Sequence, residues 1–183
     1  MPRGIPYGMP GSLPPLTGNR IKVMFRPALT AHAGKLLSGS GKGTAVHAAS
    51  FLRTREIVLE DRLLKTPKRL RRIFAHEVFH FVWLRIGNQK RRSYEMVLEA
   101  ELRRGAHGEL GWSAESLKQD LTAADCAART SKWRQYACES FCDTAGWAFG
   151  SNRKYAELTL AKGFRKLRLR WLVEEMLQQP LPI

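Results

Sequence analysis

The stretch from Ile73 to Leu84 constrains the fold more than any other part of this chain. Ile73, Phe74, Val78, Phe79, Phe81, Val82, Trp83 and Leu84 leave almost no polar face at helical spacing. The spacing predicts a helix buried nearly all round. Into that helix the sequence places His76, Glu77 and His80. Polar groups in such surroundings need partners, so the chain must fold around whatever satisfies them. Thr66 as N-cap and Pro67 at the first helical position start the helix. It is expected to run to about Ile86, with Gly87-Asn88 as the stop.

His76 and His80 share one helical face, one turn apart. Two imidazoles so spaced can hold one metal ion. Glu77 lies about 100° further round the axis, where it reaches a metal-activated water without becoming a ligand. The pattern His76-Glu77-Val78-Phe79-His80 therefore supplies two ligands and a general base. The alternative is two core histidines and a glutamate paired with an arginine. A catalytic zinc needs a third protein ligand and an open fourth position. An extended metzincin motif would place Gly at position 83 and His at position 86, where this chain has Trp83 and Ile86. A second apolar helix, from Ser131 to Trp147, carries Glu139 and Asp143 on one face. Two carboxylates on an apolar face call for a cation opposite. With zinc there, Glu139 would be the third ligand, and Asp143 would accept the free ring N–H of His76. The alternative pairs both acids with arginines such as Arg134.

His76-Glu77-Val78-Phe79-His80 followed by Glu139-Ser-Phe-Cys-Asp143 resembles the gluzincin metallopeptidases, whose hallmark is H-E-x-x-H on one helix and E-x-x-x-D on a later one. The resemblance covers about residues 50–150. It is closer to reduced single-domain gluzincins and ImmA/IrrE-type proteases than to full-length thermolysin-like enzymes. It implies an α+β, zincin-like fold: a small, mostly antiparallel sheet on the active-site helix, a second ligand-bearing helix, and a helical insert over 88–130. It also implies a zinc metalloendopeptidase with one Zn2+ per chain, held by His76, His80 and Glu139. Glu77 would take a proton from the attacking water and pass it to the leaving amine. The peptide would lie along an edge strand drawn from residues 44–60. Tyr136, His107 and Tyr155 are candidates for polarising the scissile carbonyl.

Arg20 to Phe25 alternates like a strand ended by Pro27, residues 44–52 look extended, and Arg55 to Glu60 forms another strand. No crossover helix separates these strands, so neighbours are expected to be antiparallel. Residues 34–43 read as a Gly/Ser loop. Ser40-Gly41-Lys42-Gly43-Thr44 imitates a phosphate-binding loop. However, Leu36 stands where the motif needs Gly, and Gly43 displaces the required hydroxyl residue. Residues 1–19 read as a flexible Pro/Gly-rich arm, and 20–183 as one domain. Further helices are expected over 91–104, from Ser113, from Ser131, and from an Asn152 cap to about Gln178.

Cys138 and Cys142 flank Glu139 at helical spacing. Small core residues are the preferred reading over a sulfur-rich metal site. His32, His47 and His107 have no ligand-spaced partner. Trp112 is either a substrate-side contact or interhelix packing. The chain has 31 Lys+Arg against 16 Asp+Glu, a net +15, which calls for an acidic protein or peptide, nucleic acid or an anionic membrane surface as partner and does not choose among them. The charge concentrates between Arg62 and Arg72 and in the last helix. There Lys162, Lys166 and Arg170 oppose an apolar stripe, with Arg165 and Arg168 flanking. An alternative function is therefore a basic nucleic-acid-associated protein, with a structural zinc site or with protease activity on DNA-bound proteins. No apolar run approaches the ~20 residues of a membrane span. The start lacks an apolar secretory region, and three cysteines cannot all pair, so a cytoplasmic setting is expected.

Overall fold

The computed structural model describes residues 13–33, 35–39, 43–150 and 155–183. Most of the presumed arm, residues 40–42 of the phosphate-loop imitation and the Asn152 cap lie outside them. The fold is mixed α and β, with three small sheets and six α-helices among the described residues.

The principal sheet has the order β2 (Lys22–Arg26), β7 (Glu56–Glu60), β6 (Ala48–Phe51). β7 is central, and its Ile57, Val58 and Leu59 are buried, as a near-continuous apolar run demands. β6 pairs with β7 antiparallel, Ala48 opposite Leu59. β2 pairs with β7 parallel, Lys22 opposite Glu56, which corrects the antiparallel expectation for this pair. The return path that a helix usually supplies is made here by a second sheet. β3 (Leu29–His32), β4 (Lys35–Ser38) and β5 (Thr44–Val46) form an antiparallel sheet in the order β4-β3-β5. β4 corrects the loop expected over 34–43. β1 (Leu16–Thr17) pairs parallel with β8 (Leu181–Pro182), so part of the expected arm is built into the fold.

A 3-10 turn, Asp61–Lys65, leads into α1 (Pro67–Arg85). Pro67 opens the helix as expected, but Thr66 does not cap it: its hydroxyl donates back to the Leu63 carbonyl. Gly87, at φ +79°, turns the chain directly into α2 (Gly87–Arg103) with no intervening loop. α3 (Trp112–Gln119) and α4 (Ala123–Ala128) complete the segment over 88–130. α4 was not anticipated, although Thr122 and Asp125 form a capping box. Thr130, rather than Ser131, caps α5 (Ser131–Phe149) by accepting from the Trp133 amide.

α5 lies against α1 through Phe79, which is 5.5 Å from Phe141 and 5.4 Å from Phe149 between ring centroids. α6 (Lys162–Trp171) ends in a π-helical turn, Leu172–Met176, and is shorter than expected. The amides of Thr159 and Leu160 just before it donate to the Glu109 carbonyl instead of entering a helix.

Arg168 corrects the reading of α6 as basic on every outer flank. Its side chain is fully buried. Its guanidinium donates to Glu101 at 2.7 Å, to both carboxylate oxygens of Glu109, and to Ser140 Oγ at 2.9 Å. Burial opposes the charge on Glu109, yet Arg168 and Lys118 hold its carboxyl below the usual range. This ion cluster ties α2, the segment before α3, α5 and α6 together.

Candidate metal centre

α1 and α5 cross so that the polar residues of each helix face those of the other. His76 Nε2 lies 3.2 Å from His80 Nε2. Glu139 closes the triangle, with Oε2 3.3 Å from His76 Nε2 and Oε1 3.8 Å from His80 Nε2. Zinc held tetrahedrally about 2.0–2.2 Å from each donor sets the donors roughly 3.3–3.6 Å apart. The observed 3.2, 3.3 and 3.8 Å straddle that range, so the three side chains stand close enough to hold one metal ion, and two imidazoles with a carboxylate form a donor set that zinc shares with iron and other transition metals. All three residues are half-buried.

The other nitrogen of His76, Nδ1, lies 2.9 Å from Asp143 Oδ1. That contact leaves Nε2 directed at the triangle. Asp143 Oδ2 accepts the Ala114 amide at 3.1 Å, at the start of α3. Gly111 makes this possible, since a Cβ there would stand 2.3 Å from the Asp143 carboxyl carbon. Arg134 is engaged elsewhere, donating to the Arg129 carbonyl. Glu139 and Asp143 thus face the histidines rather than arginines.

Burial opposes the charged form of His76, but the carboxylates of Asp143, Glu139 and Glu77 hold its pKa well above the usual value. His80 is also raised, with burial again opposing. Burial would neutralise Glu139, yet its contacts with His76 and His80 hold it below the usual carboxylate range.

Glu77 is buried, and Ser50 Oγ on β6 lies 2.6 Å from its Oε2 and 3.0 Å from its backbone oxygen. Two hollows, of about 330 and 340 Å³, share Ala48, His76, Glu77 and Ser113. The second runs along Ala48, Ala49 and Ser50 to His80 and Glu139. β6 is an edge of its sheet, so its outer side is free of strand pairing among the described residues. The first hollow is lined by His47, Arg69, Arg72 and Trp112. Trp112 is 67% exposed, so it is a cleft-side ring rather than interhelix packing. His47 Nδ1 lies 2.8 Å from buried Glu60, and its Nε2 lies 2.7 Å from an Arg69 guanidinium nitrogen. Burial opposes the charge on Glu60, but His47 and Arg62 hold its pKa down.

None of the three carbonyl-polarising candidates lines these hollows. Tyr136 is buried and donates to Glu109 Oε1. Tyr155 donates to the Leu110 carbonyl at 3.0 Å. His107 is exposed.

Ser50 and Gly111 carry no local motif and His47 has no ligand-spaced partner, so the sequence does not single them out. The sequence does carry one further signal. Cys138 and Cys142, read as core residues, turn toward His80 Nδ1, at 3.6 and 3.4 Å. Hydrogen bonding from Cys142 brings the Cys138 thiol down to about 6, while burial pushes Cys142 up. Compared with protein-family models, curated proteins and solved structures, the chain matches none.

Proposed function

We propose that this protein is a metal-dependent hydrolase, and within that class a zinc metallopeptidase of gluzincin type with a zincin-like core. The observation that carries the reading is the triangle of His76, His80 and Glu139, with donor atoms 3.2 to 3.8 Å apart, and Glu77 beside it on the cleft. A bound zinc supplies Lewis acidity and brings a water into nucleophilic range near neutral pH. Glu77 takes a proton from the attacking water as the new C–O bond forms. It then delivers that proton to the amine nitrogen as the C–N bond breaks. Ser50 engages one Glu77 oxygen and fixes the carboxylate's rotation, leaving the other for the proton. Asp143 keeps the His76 proton on Nδ1.

An extended peptide added to the free edge of β6 would run past Glu77 through main-chain hydrogen bonds. Arg69 on the wall of the adjoining hollow favours acidic side chains there, and Trp112 offers an apolar contact. A second reading is work on nucleic-acid-bound proteins. The exposed Lys65, Lys68 and Arg71 before and on α1, and Lys162, Lys166 and Arg170 on α6, favour it. Salt-sensitive DNA binding would support that setting.

The test is zinc content together with cleavage of a position-scanned peptide library. Glu77→Gln should lose on the order of 10²–10⁴-fold in kcat/KM while retaining zinc. Equal cleavage by wild type and Glu77→Gln would reject the mechanism. No zinc uptake by folded wild-type protein would reject the class.

A further inference from the structure

We propose a second, thiolate-rich metal site formed by Cys138, Cys142 and Nδ1 of His80. It would take a thiophilic divalent cation of the zinc and cadmium type.

The two sulfurs come from successive turns of α5, and the imidazole comes from α1. Cys142 is buried, and Cys138 and His80 are half-buried. All three candidate ligand atoms lie within 4.8 Å of one another. A metal about 2.3 Å from sulfur and 2.0–2.1 Å from an imidazole nitrogen, at tetrahedral angles, sets S and N roughly 3.5–3.6 Å apart. The observed separations of 3.6 and 3.4 Å match that spacing.

Simple packing does not account for the arrangement. A cysteine that only fills a core acts as a small hydrophobe with a weak S–H donor and needs no polar partner. Here both sulfurs converge on one ring nitrogen, which offers a single proton or a single lone pair. Two thiolates also neutralise a divalent ion, which lowers the penalty for holding it among buried groups.

His80 links the two sites. Its Nε2 faces His76 and Glu139, while its Nδ1 faces the sulfurs. A neutral imidazole has one lone pair, so His80 serves one site at a time unless it loses its remaining proton and bridges both as an imidazolate. The sulfur site itself needs neither Glu139 nor a general base, so it stands apart from the peptidase reading.

Cadmium alone is the probe, added under reducing, anaerobic conditions to full-length protein carrying Cys126→Ser. That background removes the third free thiol. The readout is the ultraviolet thiolate-to-cadmium charge-transfer band. It should saturate at about one thiolate-bound cadmium per chain. Glu139→Gln, which disables only the other donor set, should keep the band. Cys138→Ser should abolish it or weaken cadmium binding at least ~10-fold. Cys138 is the position to change because it is half-buried and serine is nearly isosteric. Near-UV circular dichroism verifies that the variant is folded. Absence of the band in the Cys126→Ser protein, or a band unchanged by Cys138→Ser, would overturn the proposal and leave only thiol–imidazole hydrogen bonds. Loss of peptide cleavage with the band intact bears on the peptidase reading alone.

Discussion

Gly111 tests whether Asp143 acts through geometry. A Cβ at this position would lie 2.3 Å from Asp143 Cγ and Oδ1, and 2.5 Å from Oδ2. Real Cβ contacts do not come this close, so Gly111→Ala must displace the carboxylate. The backbone itself tolerates alanine, since Gly111 is extended at φ −168°. The cost is therefore steric. Overpacking of this kind costs about 1–3 kcal/mol of stability, offset by a few tenths to about 1 kcal/mol from a stiffer unfolded chain. Displacing Asp143 also frees His76 Nδ1 and leaves the Ala114 amide without its acceptor. Loss of such an orienting partner lowers metal affinity about 10–100-fold. Asp143→Asn should do the same, because His76 and the Ala114 amide face different carboxylate oxygens, and the NH2 that replaces one of them cannot accept. The decisive assay is a double-mutant cycle on zinc affinity, measured by competition with a chromophoric chelator. If Gly111 acts through Asp143, the double variant should bind zinc no more weakly than the poorer single variant. Independent effects would multiply instead. Multiplied losses, or wild-type affinity in Gly111→Ala, would refute the reasoning.

Three further outcomes follow from contacts away from the ligands. Ser50→Ala removes the hydroxyl from Glu77, a charge-assisted bond worth about 1.5–3 kcal/mol, so kcat should fall roughly 10–100-fold with zinc content unchanged. A loss confined to KM would remove Ser50 from the positioning of the base. Arg168→Met leaves Glu101 buried without its cation and Glu109 with Lys118 alone, and should cost about 3–5 kcal/mol in urea unfolding. A cost below about 1 kcal/mol would mean that the cluster is hydrated. For Glu95, burial opposes the charge, but Arg129 and Arg92 hold its pKa below the unfolded value. Its contribution is thus fully present above an unfolded pKa near ~4.3 and lost as pH falls through the folded one. The stability gap between wild type and Glu95→Gln should hold steady above about pH 5 and narrow in acid. A gap that widens in acid would reverse the sign.

What could be read ahead of the structure was what repeats locally. His76, Glu77 and His80 sit inside one uninterrupted apolar helix, and Glu139 and Asp143 sit inside another, so helical spacing alone assigns their faces. Contacts made across long stretches of chain left no such trace. Arg168 has the spacing of a flanking surface cation, yet its partners Glu101 and Glu109 stand 67 and 59 residues away. Nothing in α6 itself separates a buried arginine from a solvated one. The parallel pairing of β2 with β7 was hidden for a related reason. The rule that parallel strands need a helical crossover assumes that the return path is a helix, and here β3, β4, β5 and β6 fill it. Cys138 and Cys142 are the instructive case, because their spacing equals that of His76 and His80. Composition favours the core for cysteine, and composition overruled a pattern identical to the one trusted for histidine. The distinguishing fact is tertiary: α1 presents both nitrogens of one imidazole to α5, Nε2 toward Glu139 and Nδ1 toward the sulfurs. A helix crossing that serves a carboxylate at position 139 therefore also brings positions 138 and 142 within reach of the same ring.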